Sequence, residues 1–225
     1  SNLKEWLYSQ EVNLYTIKQG KYSNNYWDLK CGFDIETTTY IDRAYMYIWQ
    51  IGINNKAFFG NTWDEFNECL NIINEYINYL NRQKAKEKHK KEFKAQAICF
   101  IHNIAFEWQF VRKEINITDV FLKSLREPLY FESNNIKFLD SFQITHMSLA
   151  KLAKRYCNTQ KMVGDIDYTV LRNTTDGKNL TDKELKYCEN DVLILCEFAE
   201  YYFNRYIINN ELIYTETSIV RHTLK

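Results

Sequence analysis

The run CGFDIE at 31–36 constrains the fold more than any other segment, because it sets two carboxylates inside an otherwise apolar stretch. Read as a short strand, it places Asp34 and Glu36, residues i and i+2, on the same face. Two carboxylates side by side repel and raise each other's pKa unless a divalent ion compensates. The pair is therefore either a metal site or a costly surface arrangement. A second DxE, Asp182-Lys-Glu184, falls in a helical segment, where residues two apart diverge by about 200° and do not converge on an ion.

The segments around this strand predict a sheet. Residues 44–53 (AYMYIWQIGI) read as a second strand, rich in aromatic and β-branched residues, and 57–60 as a third after an Asn54-Asn55 turn. Residues 62–81 repeat apolar positions at Trp63, Phe66, Leu70, Ile73, Tyr76, Ile77 and Leu80, the spacing of an amphipathic helix. A strand at 97–102, a helix at about 105–114, a hairpin pairing 129–132 with 136–139 and a helix at 148–156 follow. Thr181 and Glu184 form a capping box that opens a last long helix, running to about 206. A meander followed by alternating strands and helices predicts one α/β domain with a mixed sheet flanked by helices. Residues 1–30 carry no pattern that places them and are set apart as an N-terminal extension.

Composition excludes several classes. With 45% apolar and 26% charged residues, the chain is neither disordered, collagen-like nor membrane-spanning. Apolar runs stay short of the roughly 18–20 residues needed to cross a bilayer, and residues 1–20 show no secretory pattern, so a soluble, cytoplasmic protein is expected. The six cysteines form no CxxC pair, which argues against both a zinc cluster and a disulfide framework. Basic and acidic residues balance at 29 each, yet 82–94 holds seven basic residues against Glu87 and Glu92. That segment is either the solvated end of the helix starting near Thr62 or a contact for a phosphate backbone.

Two further groups could carry chemistry. Tyr187 and Asp191 lie one helical turn apart and so share a face; alone, they also fit a rim tyrosine beside a solvated acid. In His102-Asn103-Ile-Ala-Phe106-Glu107 a strand gives way to a helix, the position where α/β proteins place ligand sites. Asn103 also fits a helix N-cap there, with His102 and Phe106 as core residues.

Taken together, a strand DxE, an HNxxFE at a strand-to-helix switch and a YxxxD on a late helix resemble the three motifs of DEDD 3′–5′ exonucleases with a Tyr in the third. The chain looks like the proofreading exonuclease domain of protein-primed family B DNA polymerases of small phages and linear plasmids. The resemblance runs from about residue 30 onward. It includes Phe33-Asp34-Ile-Glu36-Thr37-Thr38-Thr39, His102-Asn103 with Phe106-Glu107, Asp140-Ser141-Phe142, Lys151-Leu-Ala-Lys154, Gly164-Asp165-Ile-Asp167-Tyr168, and Tyr187 with Asn190-Asp191.

The resemblance implies a ribonuclease H-like sheet over 31–210, with 211–225 starting the connection to a polymerase domain of the same polypeptide. It implies two Mg²⁺ or Mn²⁺ ions held by Asp34, Glu36, Glu107 and Asp191, with Tyr187 and Lys161 as further catalytic groups. Thr37, Asn103, Phe106, Ser141, Phe142 and Tyr168 match positions that grip a single-stranded DNA 3′ end, and a terminal protein is a further partner in the family. Three positions depart from the pattern: Glu107 replaces an Asp, Phe142 replaces a Leu, and Val163 stands where the family has its lysine. Lys161, two residues earlier, lies on the same face of an extended segment, about 6.6 Å away along it.

The chemistry fits such a set. Phosphodiester hydrolysis needs charge neutralisation and an activated water, which two ions about 3.5–4 Å apart supply, and an all-oxygen ligand set suits Mg²⁺ or Mn²⁺. A phenol, with its ordinary pKa of about 10, orients the water rather than taking its proton. Aromatic side chains packing on unstacked bases would favour single strands of any sequence. The alternatives are a free-standing exonuclease acting on RNA, and a weakly active or inactive module that binds DNA or docks a terminal protein. Glycosyl transfer through Asp165 and Asp167 lacks an accompanying nucleotide-sugar fold pattern.

Overall fold

The computed structural model describes residues 2–40, 42–164, 166 and 180–217. Its spine is β2 (Tyr22–Tyr40), a strand of 19 residues and so far longer than the segment the sequence marks. It extends because each half finds its own partner. The first half pairs antiparallel with β1 (Leu14–Gln19), the second with β3 (Arg43–Ile53). β4 (Lys56–Gly60) returns along β3 through a turn in which Asn54 and Asn55 have φ of 46° and 66°, the left-handed backbone that a two-residue hairpin requires.

On the other side of β2 lie β5 (Gln96–Ile101) and β8 (Ile136–Asp140), both parallel to it. Then come β7 (Glu127–Ser133) and β6 (Asp119–Ser124), antiparallel. The result is one eight-stranded mixed sheet in the order β4-β3-β2-β5-β8-β7-β6, with β1 beside β2. This is the flanked mixed sheet that the pattern predicts, consistent with a ribonuclease H-like fold. Among the described residues, no helix is long and apolar enough to cross a membrane.

The pleat sorts the core into two layers. Cys31, Phe33 and Ile35 of β2 face α1 (Asn2–Tyr8), α2 (Trp63–Glu87) and α3 (Ile104–Val111). Ile98 and Phe100 of β5 face α5 (Leu149–Tyr156) and α6 (Asp182–Arg205), with the short α4 (Ser141–Thr145) at the end of β8. Residues 2–30, which the sequence leaves unassigned, belong to the same core: Leu3, Leu7, Trp27 and Leu29 pack with Phe33. Their pattern is weak because α1 is short and β1 alternates only partly. Beyond α6, the Tyr202 hydroxyl donates to Ile213 O at 2.7 Å and accepts from Ile213 N at 2.8 Å, which ties 211–217 to the helix.

Two glycines let α6 rest directly on the sheet. A Cβ at Gly32 of β2 would lie 2.4 Å from the Leu195 Cβ, and one at Gly52 of β3 would lie 2.8 Å from the Val192 carbonyl oxygen. Any side chain at these points lifts the helix. α6 buries Val192, Leu195, Phe198 and Tyr202 there, each contributing about 1.5–3 kcal/mol on leaving water, so the contact outweighs the electrostatic cost of the acids it brings along.

The basic segment 82–94 sits elsewhere. α2 continues to Glu87, and Arg82, Lys91 and Lys94 line an asparagine-rich groove of about 1020 Å³ with Asn24, Asn78 and Asn135. This groove lies at the N-terminal ends of β2, β5 and β8, the opposite end from Asp34 and Glu36. The segment is therefore no approach surface for the acidic cluster. We expect Gly52→Ala to cost about 1–3 kcal/mol through overpacking, read as a lower urea midpoint at unchanged slope; an unchanged midpoint would mean that α6 stands off the sheet.

Candidate active site

The C-terminal ends of the parallel strands β2, β5 and β8 converge with the middle of α6, and four acids meet there. β2 turns Asp34 and Glu36 towards α6, as the i, i+2 rule requires. Directly after Glu36 the pairing of β2 with β3 slips: Glu36 opposes Ile48 and Thr37 opposes Met46, so Tyr47 is an extra residue on β3. Such bulges bend a strand and re-aim its side chains. Thr37, half-buried, lies on β2 just past the point opposite this bulge.

From α6, Asp191 reaches the same spot and is only 6% exposed. One carboxylate oxygen from each of Asp34, Glu36 and Asp191 lies within 4.8 Å of the others. Glu107, in the first turn of α3, comes up beside Asp34 at 2% exposure, and its Oε2 has no hydrogen-bond partner among the described residues. Gln50, opposite Asp34 on β3, donates from Nε2 to Asp34 Oδ2 at 3.1 Å.

Crowding and burial set the electrostatics. Asp34 is pushed up to about 7, first by burial and then by the Asp191 charge. Glu107 moves well above the usual carboxylate range, through burial and then the charge of Asp34. Asp191 is also raised, because burial outweighs the cation beside it. That cation is Lys161, whose Nζ donates to both Asp191 oxygens at 2.9 Å and to the Tyr187 hydroxyl at 2.8 Å. The ammonium also sits 3.9 Å from the centre of the Tyr187 ring. The long side chain thus covers the displacement left by Val163, itself 93% exposed.

An orphaned buried oxygen on Glu107 and the clustered carboxylates of Asp34, Glu36 and Asp191, of which Asp34 and Asp191 have raised pKa values, fit a divalent cation: every donor is a hard oxygen, and positive charge would relieve the crowding. Asp34, Glu36 and Asp191 converge closely enough to suit one ion, and Glu107 stands beside Asp34 outside that trio.

Next to the acids, Phe106 of α3 and Phe142 of α4 are each 38% exposed, too much for core residues. His102 lies under Phe142 with ring centroids 5.7 Å apart. Asn103 occupies the N-cap position of α3 but its side chain makes no cap bond; it is exposed, on a left-handed backbone with φ of 75°. Ser141 is fully buried, and its Oγ donates to Ile101 O at 3.2 Å and pairs with His102 Nδ1 at 2.9 Å, so it braces the end of β8 against β5. Tyr168, Asp165 and Asp167 lie outside the described residues.

Sequence reasoning passed over Gln50 and gave Asp140 no role. A single polar residue within AYMYIWQIGI is the only signal that marks the first. The second bridges two turns, accepting from both Asn103 N and Phe142 N at 2.9 Å.

No protein-family model matches this chain, and no curated protein matches it in sequence. Among solved structures, phi29 DNA polymerase complexed with primer-template DNA and incoming nucleotides resembles it with a TM-score of 0.56 at 18% identity, over 79% of this chain and 31% of that one. Phi29 DNA polymerase complexed with single-stranded DNA gives the same TM-score, identity and coverage, and its orthorhombic crystal form a TM-score of 0.55. The likeness is one of fold, and the chain spans about a third of those polymerases' length.

The raised carboxyls have a measurable consequence. A carboxyl whose pKa is higher folded than unfolded adds stability below its unfolded pKa, and that stability is lost as pH rises through the folded value. For Asp34 the window runs from 3.8 to about 7. In chelator, wild type should lose urea stability relative to Asp34→Asn between pH 5 and pH 8, and Mn²⁺ should restore it at pH 8. A pH-independent difference between the two proteins would contradict the burial of this carboxyl.

Proposed function

We propose that the chain is a 3′–5′ exonuclease domain that hydrolyses single-stranded DNA ends with two divalent ions, within a protein-primed family B DNA polymerase. One observation carries the reading: Asp34 and Glu36 from β2 and Asp191 from α6 share a space 4.8 Å across, with Glu107 against Asp34. The phi29-like fold supports the polymerase relationship.

Bound there, two divalent ions would supply charge neutralisation at the scissile phosphate and a more acidic attacking water. The chain's own groups do the rest. Tyr187, fixed by Lys161, presents a hydroxyl that orients the water in line with the phosphorus. Lys161 balances Asp191 and holds the phenol and carboxylate in register along α6. Phe106 and Phe142 offer apolar faces for unstacked bases, a preference for single strands without regard to sequence. A paired end must melt before it reaches them, and a mismatched end melts at lower cost, which selects errors for removal. The polymerase domain of the same polypeptide and a terminal protein are the partners this reading brings with it.

The test is release of mononucleotides from 5′-labelled oligothymidylate with Mn²⁺ or Mg²⁺. Wild type should degrade the DNA oligomer faster than the matched RNA, and Asp34→Ala Asp191→Ala should abolish activity. Tyr187→Phe should lower kcat about tenfold to a hundredfold while leaving KM near wild type. Binding of the oligomer without turnover above the double variant would overturn the enzymatic reading in favour of a docking module.

A further inference from the structure

Asp140 is a buried acid that the proposed chemistry does not use, being 2% exposed at the end of β8. Its Oδ1 accepts two backbone N–H bonds, both 2.9 Å. One comes from Phe142, as the N-cap of α4, and the other from Asn103, 37 residues away in the turn between β5 and α3. Its Oδ2 accepts from Gln143 Nε2 at 3.0 Å. A cap needs only the first of these bonds. The second crosses from β8 to the neighbouring strand β5, where Ile101 is paired with Asp140 itself.

The bridged turns are the two that carry the exposed aromatic faces. Asn103 starts α3, one turn before Phe106, and does so in the left-handed conformation with φ of 75°. Asn is among the non-glycine residues that adopt this conformation most readily, and the bond from its amide to Asp140 fixes where that turn lies. A carboxylate accepting a backbone N–H makes a strong, short bond with fixed direction. Phe142 follows Asp140 by two residues, and its amide is fixed by the same oxygen.

We propose that Asp140 is a positioning residue for single-stranded DNA: one carboxylate oxygen sets the spacing of the Asn103–Phe106 edge from Phe142, so that both meet one strand. The inference rests on the exonuclease reading. It assigns Asp140 no contact with the strand or with an ion.

Serine separates the two bonds. Asp140→Ser keeps a good N-cap for the Phe142 amide, so α4 and the fold persist, but its shorter side chain does not span to Asn103. Asp140→Asn keeps an oxygen that accepts both amides. The measurement is fluorescence anisotropy of a labelled oligothymidylate with Ca²⁺, together with Mn²⁺ affinity in the absence of DNA. Asp140→Ser should weaken the oligomer about tenfold, Asp140→Asn should remain within about threefold of wild type, and Mn²⁺ affinity should change less than about twofold in both. In a Phe106→Ala background, Asp140→Ser should add less than about twofold, since the residue acts through that edge. Oligomer binding by Asp140→Ser equal to wild type, or a parallel loss of Mn²⁺ affinity, overturns the inference and leaves the exonuclease reading standing. Failure of wild type to bind the oligomer overturns that reading, and the inference with it.

Discussion

Everything at the acidic end of the sheet depends on how closely α6 approaches β2 and β3. Gly32 and Gly52 leave no side chain between the strands and the Val192–Leu195 stretch of the helix, and Asp191 sits one residue before that contact. A helix held off by an ordinary side chain would carry Asp191 away from Asp34 and Glu36. The same contact buries a ridge of large apolar side chains, so the hydrophobic term holds together what Coulomb repulsion would separate. A carboxyl pushed from 3.8 to about 7 disfavours its charged form by roughly 4 kcal/mol, which two or three fully buried side chains offset.

The site is held in a strained electrostatic state. Three acids are raised by burial, Asp34 and Glu107 also by a neighbouring acid, one cation is shared between Asp191 and Tyr187, and Glu107 keeps an unpartnered oxygen. Groups used only for folding are seldom left this way, because neutral side chains of the same size would be cheaper to bury. Raised carboxyls that converge on one space mark a candidate functional site. The apolar side chains beside them, Phe106 and Phe142, are likewise left partly uncovered where the core could have closed over them.

Much of the fold is legible in the sequence where local periodicity sets it. The apolar stripe of α2, the capping box of α6 and the Asn54-Asn55 turn depend on neighbours a few residues away. β1 and the first half of β2 are harder to see, since their partnership is with each other and their alternation is half-solvated. The motif residues Asp34, Glu36, Glu107, Tyr187 and Asp191 stand out by type and spacing, and the fold brings them together. Ser141 and Asp140 show the opposite case. The resemblance implied a strand-gripping role for Ser141, whose hydroxyl is buried and bonded to Ile101 and His102, while the plain-looking Asp140 bridges two strands.

By itself the sequence determined which residues share a face: Asp34 with Glu36 on a strand, Tyr187 with Asp191 on a helix. Those relations follow from backbone periods of two and 3.6 residues and need no tertiary information. Only the tertiary structure decided which faces meet, that Lys161 reaches Asp191 from its displaced position, and that the basic stretch 82–94 lies at the far end of the sheet. Such relations depend on the path of loops and on how near two backbones can come, and contacts at separations of 30 residues or more leave no periodic trace in a single chain.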